Sequence, residues 1–327
     1  MRVLVTGASG FIGSAVVRAL SARGDDLRCL LRETSSATRL EGIRYERATG
    51  DVCDLDAVGA AMRGVDAVIH LAGQSAWDDI VRDDRAGHLD EVITGGTRNV
   101  AHTARQTGAR MVYISSTVVL GGTRAPTALD EKGPADEAAA SRLAYARAKR
   151  CAEAVCHEAV GRGADIVTVN PAEVYGPGDT AFITSKNLIY FAESSPVVVC
   201  RGGTSIAYVD DVAAAIVGAL DRGRTGHRYF LGGSGLTLVQ LARMCLDIIG
   251  KRTRIITVPG IALAAFARLS QLLHLPGAID PGIVPYATRY WFIDSTKARR
   301  ELGARFRSAR DTLTPTLTWL REAGHIA

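Results

Sequence analysis

The chain has 327 residues, of which 47% are hydrophobic and 22% charged, a balance typical of a globular protein. This length accommodates one large α/β domain or a nucleotide-binding domain with a smaller appendage. The formal net charge of +5 comes mainly from arginines scattered without aromatic interleaving, which argues against a nucleic-acid surface.

Alternating apolar runs and helical patterns fill the first half of the chain. Predicted strands lie at residues 3–5, 27–31, 43–45, 65–71, 111–115 and 166–170. Predicted helices lie at 11–22 and 90–107, and another ends near residue 160. Strands separated by helices predict right-handed crossovers, and therefore an α/β Rossmann fold with a doubly wound parallel sheet.

The regular alternation weakens after Pro171, where Gly and Pro cluster. We predict a dinucleotide-binding domain at residues 1–170 and a smaller α/β substrate-binding lobe at 171–327, with elements near 205–225 returning to the first domain. The apolar stretch 255–275 contains an uncharged run of about 13 residues, short of the ~20 that a spanning helix needs. We interpret it as a buried or pocket-covering helix, and membrane contact is not expected.

The cysteine and histidine patterns bear on the cellular compartment and on possible metal sites. The six cysteines form no Cys-x-x-Cys pair, and the chain enters a strand at residue 2 without a signal peptide, so we expect a cytoplasmic protein. The seven histidines show no His-x-x-x-His. An acidic run follows Trp77, and we interpret it as a solvated loop rather than a metal site. Its members are Asp78, Asp79, Asp83 and Asp84.

A glycine-rich turn links the first strand to the first helix. Gly7 permits the tight turn, Gly10 lets backbone approach a pyrophosphate, and Gly13 allows close helix–strand packing. The helix N-terminus attracts phosphates. This placement predicts a dinucleotide site with contacts from Gly7, Ser9, Gly10, Phe11, Ile12 and Gly13.

The ends of the second and third strands predict the adenosine contacts. NAD sites usually carry an acidic residue about 20 positions after the glycines, but this chain has Arg32, followed by Glu33. A guanidinium suits a 2′-phosphate, so we predict NADP, with NAD left open by Glu33. Asp51 and Val52 are placed to meet the adenine edge, unless Asp51 is a helix N-cap, a role that Asp54 could serve instead.

Tyr145 and Lys149 lie four residues apart in a helical segment, so both side chains leave the same face. Free tyrosine has a pKa near ~10, and about 4 kcal/mol would bring it to ~7. A lysine charge at ~4 Å in an effective dielectric of ~20 supplies about that energy. The pair predicts a proton-transfer site, although an exposed helix with an ordinary tyrosine and lysine has the same pattern.

Together these motifs resemble the extended short-chain dehydrogenase/reductases, in the NAD-dependent epimerase/dehydratase family and its branch of dihydroflavonol-reductase-like and 3β-hydroxysteroid-dehydrogenase-like proteins. The resemblance covers essentially the whole chain. It rests on Thr6-Gly-x-x-Gly-x-x-Gly13, Asp51-Val52, His70-Leu-Ala-Gly73, Val112-Tyr-Ile-Ser-Ser-Thr117, Tyr145-x-x-x-Lys149, Asn170-Pro-Ala-Glu-Val-Tyr-Gly-Pro-Gly178 and Val209-Asp-Asp-Val212.

The resemblance implies roles for individual residues. Ser116 would hydrogen-bond the reacting oxygen, Tyr145 would be the general acid/base, and Lys149 would hold the nicotinamide ribose and lower the pKa of the tyrosine. His70 could line the cofactor or be a satisfied sheet-edge histidine. Further cofactor contacts implied by the family are Leu71, Ala72, Gly73, Pro171 and Val174.

The reaction is less constrained, because one scaffold hosts several chemistries. Family members that act on nucleotide-sugars typically carry a diphosphate-clamping arginine where this chain has Thr204, and Arg201 is three residues early. Dehydratases often have an acidic residue at the place of Thr117. We therefore predict carbonyl/alcohol redox on a small, fairly apolar substrate.

Two alternatives stay open. One is a nucleotide-sugar epimerase or dehydratase with tightly bound NAD, which the pair Asn187-Leu188 favours because those enzymes use such a pair near the phosphates. The other is a redox-sensing module that binds cofactor without turnover, which the intact set of Ser116, Tyr145 and Lys149 argues against. The family resemblance also implies a homodimer.

Overall fold

A computed structural model of the chain describes residues 1–73, 86–133, 135–273 and 284–327. The acidic run that begins at Asp78 lies outside these described residues, as do the last two positions of the stretch 255–275. No helix within the described ranges is both long enough and apolar enough to cross a membrane.

The strands and helices of the described residues alternate through the first half. The strands are β1 (Arg2–Thr6), β2 (Asp26–Leu31), β3 (Glu46–Thr49), β4 (Ala67–His70), β5 (Arg110–Ile114), β6 (Ile166–Pro171), β7 (Glu173–Tyr175), β8 (Val197–Cys200), β9 (Gly203–Tyr208), β10 (Arg228–Leu231), β11 (Ser234–Thr237), β12 (Ile255–Val258) and β13 (Tyr290–Trp291). The helices are α1 (Phe11–Arg23), α2 (Leu55–Met62), α3 (Ala86–Leu89), α4 (Gly96–Thr107), α5 (Glu137–Ala140), α6 (Ala144–Gly161), α7 (Ser185–Glu193), α8 (Val209–Arg222), α9 (Leu238–Ile249), α10 (Gly260–Leu272), α11 (Val284–Ala287), α12 (Thr296–Leu302) and α13 (Ala309–Glu322). A π-helical turn at Asp90–Gly95 joins α3 to α4, and short 3₁₀ helices lie at Thr38–Leu40 and Thr117–Leu120.

The central sheet is parallel and has the strand order β10-β6-β5-β4-β1-β2-β3. Its strands are rich in Val, Ile and Leu because helices cover both faces. One face packs on α1 and α8, and the other on α2, α4 and α6. The predicted α/β Rossmann fold is therefore confirmed.

The strand order reverses between β1 and β4, where Thr6 pairs with His70. In doubly wound sheets, ligands bind outside the carboxyl ends of the strands at such a switch point. The glycine-rich turn follows β1 at this edge, and Ser116 follows β5 there. The sheet topology therefore brings the predicted cofactor and catalytic segments to one edge.

The segment after β6 forms a second lobe around β9, which pairs with β7, β11 and β13. The hydrophobic core of this lobe lies among α7, α9 and α13. Two later elements return to the central sheet: α8 packs against α1, and β10 pairs with β6.

Two of the predicted elements were wrong. The third strand is Glu46–Thr49 rather than 43–45, because this edge strand is polar: Glu46 pairs with Arg2 and Arg28 instead of entering the core. The interpretation of 255–275 as one buried helix is wrong, whereas a pocket-covering helix stays a prediction. Pro259 separates β12 from α10, and α10 exposes several of its large apolar side chains, with Ile261 86% and Leu272 74% exposed.

Candidate functional site

The glycine-rich turn is shaped by backbone contacts that no Cβ atom fits. Gly7 has a φ of 69°, and a Cβ there would lie 2.7 Å from the amide nitrogen of Ala72. A Cβ on Gly13 would lie 2.1 Å from the carbonyl oxygen of Gly7. Since real Cβ atoms do not approach this closely, both positions require glycine. The turn is thereby pressed against the segment that follows β4.

The N-terminus of α1 has the features of an anion-binding site. Gly10 is the N-cap, and no described side chain caps this end. The first-turn amides at Phe11 and Ile12 therefore have no intrahelical partner, and with the helix dipole they favour a phosphate group. The residues fit the pyrophosphate of a dinucleotide.

Two arginines in the segment after β2 are relevant to the predicted adenosine end of the site. The predicted contact Arg32 follows β2 with an exposed side chain. Arg39, which the sequence analysis did not identify, donates from Nη1 to the carbonyl oxygen of Ser9 at 3.0 Å and from Nη2 to that of Gly178 at 2.9 Å. It joins the glycine-rich turn to the motif after β7, a contact that no spacing rule predicts.

Asp51 and Val52, the predicted adenine contacts, precede helix α2. Asp54, not Asp51, is the N-cap of α2, since its Oδ1 accepts from the amides of Asp56 at 2.9 Å and Ala57 at 3.2 Å. Asp51 accepts from the amide of Cys53 at 3.0 Å. Val52 is buried. The N-cap alternative for Asp51 is therefore wrong, and its contact with adenine stays a prediction.

His70 belongs to the core. Its Nδ1 lies 2.7 Å from Thr6 Oγ1 and its Nε2 lies 3.1 Å from Thr97 Oγ1, so both ring nitrogens have partners. Burial, reinforced by the charge of Lys149, lowers the pKa of His70 to about 3. Neutral His70 holds the end of β4, so that Leu71, Ala72 and Gly73 lie beside the glycine-rich turn.

The predicted proton-transfer pair lies on the first turns of α6. Lys149 Nζ donates to the carbonyl oxygen of Ile114 at 2.8 Å and lies 5.8 Å from the ring centroid of Tyr145. A Cβ on Gly73 would lie 3.6 Å from the same Nζ. The fold therefore brings the ends of β4 and β5 to the lysine.

Burial affects both groups of this pair. Desolvation raises the pKa of Tyr145 to about 12, and it lowers the pKa of Lys149 to about 8. In the chain alone, desolvation of the phenolate sets the pKa of Tyr145. The expectation that Lys149 lowers this pKa stays a prediction. The neutral phenol is a proton donor at neutral pH.

Ser116 follows β5 and caps the short 3₁₀ helix, where its Oγ accepts from the amide of Val118 at 3.4 Å. Asn170 and Glu153, which the sequence analysis did not select, support it. Asn170 Nδ2 donates to the carbonyl oxygen of Ser116 at 3.2 Å and to Glu153 Oε1 at 2.6 Å. The serine backbone is thus tied to β6 and to α6.

The predicted substrate side includes β7 and its neighbours. Pro171 ends β6, and Val174 is buried in the core of the first domain. Glu173, another residue missed from sequence, accepts from Tyr175 Oη at 2.7 Å and from Tyr286 Oη at 2.6 Å. Desolvation raises the pKa of Glu173, although these hydrogen bonds oppose the rise.

Thr204 on β9 lies buried within hydrogen-bonding reach of Glu173. Asn187 extends the same group, because its Nδ2 donates to Tyr175 Oη at 2.7 Å. Arg201, the nearest arginine in sequence, is exposed. The position expected to hold a diphosphate-clamping arginine thus holds a neutral hydroxyl beside a carboxyl group.

Comparison with known proteins identifies relatives over the full length. The model of the NAD dependent epimerase/dehydratase family matches residues 3–232. Sterol demethylase protein B of Methylococcus capsulatus is 31% identical, with 100% of both chains covered. The 4-hydroxy-2-methyl-3-oxo-4-farnesyl-3,4-dihydroquinoline-1-oxide ketoreductase of Stigmatella aurantiaca is 30% identical, covering 99% of this chain and 97% of the relative.

A solved structure shares the whole architecture. A double mutant of DesIV, a dTDP-glucose 4,6-dehydratase from Streptomyces venezuelae solved with NAD bound, superposes with a TM-score of 0.78 at 25% identity. The match covers 98% of this chain and 97% of that one.

Proposed function

The chain belongs to the NAD-dependent epimerase/dehydratase family and is an NAD(P)-dependent oxidoreductase of the extended short-chain dehydrogenase/reductase type, and we propose that it interconverts a carbonyl and a secondary alcohol on a small, fairly apolar molecule. The substrate side carries this proposal. Thr204, which lies beside Glu173, occupies the place where a nucleotide-sugar enzyme of the family would be expected to hold an arginine.

Three residues act at the reacting oxygen, each with a separate role: Tyr145, Lys149 and Ser116. In reduction, the Tyr145 phenol donates its proton to the carbonyl oxygen, and in oxidation the phenolate accepts it back. The Ser116 hydroxyl donates a hydrogen bond to the same oxygen and orients it. Lys149, held on the carbonyl oxygen of Ile114, places its ammonium charge near the phenolate as it forms.

The chain's residues fit a nicotinamide dinucleotide. The first turn of α1 would hold the pyrophosphate, and Lys149 with Gly73 would hold the nicotinamide ribose. Pro171 and Val174 would contact the nicotinamide amide. When bound, this cofactor supplies or takes up the hydride. The protein itself orients the cofactor and the substrate and transfers the proton.

We further propose that the dinucleotide is NADP. The Arg32 side chain is exposed after β2, where NAD sites usually hold an acidic residue. A guanidinium can donate two parallel hydrogen bonds to a 2′-phosphate. Asp51 and Val52 would meet the adenine. A homodimer and a cytoplasmic location stay predictions from the sequence.

The electrostatics of the substrate side favour a neutral substrate over a diphosphate. A threonine hydroxyl cannot replace a bidentate guanidinium at a phosphate. In its ionised form the nearby Glu173 would also repel the diphosphate. The names of a sterol demethylase protein and a farnesyl-quinoline ketoreductase among the relatives support an apolar substrate for this chain.

The proposal is tested with a binding and turnover panel. We expect purified protein to oxidise NADPH with hydrophobic ketones or aldehydes, and calorimetry to detect no useful binding of UDP- or dTDP-sugars. Micromolar affinity for a nucleotide-sugar, or epimerisation of one without net cofactor change, would show the nucleotide-sugar alternative to be correct. Cofactor binding without turnover of any compound would favour the redox-sensing alternative.

A further inference from the structure

Four titratable side chains follow one another at successive turns of α6, so that each is a surface neighbour of the next. They are Tyr145, Lys149, Glu153 and His157. The first two act at the reacting oxygen in the proposed reaction. The last two line a cavity of about 630 Å³ between α6 and the strands β6 and β10. The only carboxyl group of this series, that of Glu153, therefore lies one helical turn beyond the proposed ribose-binding lysine.

The Glu153 carboxylate is joined to the serine segment through Asn170. Asn170 is fully buried on β6, and its Nδ2 donates to Glu153 Oε1 at 2.6 Å and to the carbonyl oxygen of Ser116 at 3.2 Å. Within the described residues, no cation forms an ion pair with Glu153, because its neighbour Arg150 pairs with Glu137 instead, at 2.7 Å. The charge of Glu153 is thus not neutralised by a contacting cation.

Lys149 has lost most of the water that would stabilise its charge. Its side chain is only 4% exposed, and its Nζ lies 5.1 Å from the ring centroid of Tyr113. Desolvation lowers the pKa of Lys149 to about 8, and the negative charge of Glu153 opposes this fall, followed by that of Cys156. Burial raises the pKa of Cys156, so its thiol is neutral at physiological pH. At that pH the opposing charge comes from Glu153.

No other element packed around Lys149 buries an anion beside it within the described residues. On β4, burial and then the charge of Lys149 lower the pKa of His70, which is therefore neutral. On β5, burial raises the pKa of Tyr113, which is a neutral phenol. The titratable side chains of α3, the π-helical turn and α4 are exposed, and they are His88, Asp90, Glu91, Arg98, His102 and Arg105.

We propose that Glu153 is a positioning residue of the active site, whose carboxylate, tied through Asn170 to the Ser116 backbone, supplies the charge that keeps Lys149 in its ammonium form. This inference rests on the proposed carbonyl reduction, in which that ammonium stabilises the Tyr145 phenolate as it forms. The hydrogen bond to Asn170 and the charge on Lys149 are separate contributions of one side chain, and a single substitution distinguishes them. Glu153→Gln removes the charge but keeps an oxygen that can accept from Asn170.

The first test measures the protonation of Lys149 directly in the cofactor-free protein. The chain has only five lysines, so protein labelled with ¹³C at the lysine Cε gives few NMR signals, and Lys149→Met assigns the one of interest. We expect the wild-type signal to titrate with a pKa of about 8. In Glu153→Gln this pKa should fall by about one pH unit, as expected for the loss of a negative charge one helical turn away.

Two further variants separate charge from structure. Glu158 is exposed on the same helix and pairs with Arg162 at 2.6 Å, so Glu158→Gln changes the net charge equally. It should leave the pKa of Lys149 within about 0.3 pH unit, because water and salt screen an exposed charge. If Glu153→Gln does not fold, Glu153→Asp, which keeps the charge and shortens the reach to Asn170, should leave this pKa within about 0.5 pH unit.

The second test is the pH dependence of ketone reduction. The ratio of kcat/KM at pH 6.5 to that at pH 8.5 should be about threefold or more larger in Glu153→Gln than in wild type, because the variant's lysine is neutral at the higher pH. Glu158→Gln should keep the wild-type ratio. A side chain with only a structural role would lower kcat/KM by the same factor at both pH values.

The inference is overturned if the pKa of Lys149 is unchanged in Glu153→Gln, if Glu158→Gln lowers it as much, or if Glu153→Gln leaves the kinetic ratio at its wild-type value. In Glu153→Asp, a fall of a full pH unit would likewise contradict it, since the charge is retained there. If wild-type protein reduces none of the ketones, the proposed function fails. The NMR titration needs no turnover, and it then decides separately whether Glu153 keeps Lys149 charged.

Discussion

The two sides of the cleft are built in different ways. The predicted pyrophosphate and adenosine contacts come from residues within the first 73 positions, and the shape of this region depends on backbone atoms that approach Gly7 and Gly13. The proposed substrate side joins Glu173, Thr204 and Tyr286 through side-chain hydrogen bonds, although Glu173 and Tyr286 are more than 100 positions apart in the sequence. Close backbone packing does not tolerate even one added methyl group, whereas the side chains of a hydrogen-bond network can be replaced by others. This difference lets one cofactor scaffold accept many substrates.

The largest effect should come from Tyr145, which we propose contacts both the cofactor and the substrate. Tyr145→Phe removes the proton donor but leaves the glycine-rich turn intact, so we expect turnover to fall about 100-fold or more while cofactor affinity stays within about threefold. Steady-state kinetics and calorimetry measure the two quantities. A variant that keeps more than half of the wild-type kcat would remove Tyr145 from its assigned role.

Adding a methyl group at Gly13 tests the backbone packing of the glycine-rich turn. Gly13→Ala places a Cβ 2.1 Å from a carbonyl oxygen, so we expect a loss of about 1–3 kcal/mol of stability together with weakened cofactor binding. Gly59→Ala in α2 is the matched control, since no atom lies within 4 Å of its Cβ. It should stabilise the helix by about 0.5–1 kcal/mol. Denaturant unfolding checks both, and equal effects would contradict the packing argument.

The buried Lys149 predicts a pH dependence of stability in the cofactor-free protein. Its pKa is lowered from 10.5 to about 8 on folding, so between these values the unfolded chain binds more protons and stability rises with pH. Lys149→Met removes this rise. We expect the wild type to gain about 2 kcal/mol relative to the variant between pH 7 and pH ~9.5. A constant difference across that range would show that the lysine is not desolvated.

The smallest effect concerns the adenosine end. Arg32→Asp should invert the order of affinity for NADPH and NADH, because a carboxylate repels the 2′-phosphate and accepts from a 2′-hydroxyl. We expect at least a tenfold change in each direction, about 1.4 kcal/mol. Calorimetric titration of wild type and variant with both cofactors measures it. Tighter NADH binding by the wild type would refute the NADP preference.

The parts that sequence predicts are those that local rules determine. Strands such as Arg2–Thr6 are buried apolar runs, and the glycine-rich turn has a fixed spacing, so the parallel fold could be predicted. The polar edge strand β3 could not, since its partners Arg2 and Arg28 lie on other strands.

The missed site residues share one property: their partners are distant in sequence. Asn170 contacts Ser116 across 54 positions, Arg39 contacts Gly178 across 139, and Glu173 contacts Tyr286 across 113. Neither periodicity nor motif spacing carries information about such pairs. For a related reason the buried alternative for α10 was wrong, since apolar composition does not say which face of a helix is covered.

Deuterium transfer tests most directly that this protein reduces an apolar carbonyl. The protein is incubated with NADPH deuterated at nicotinamide C4 on the transferred face, and with the hydrophobic ketone that consumes cofactor fastest. We expect mass spectrometry to find one deuterium on the carbinol carbon of the alcohol for each NADPH oxidised. Alcohol without label, or an epimerised nucleotide-sugar with no net NADPH oxidation, would contradict the proposed reaction.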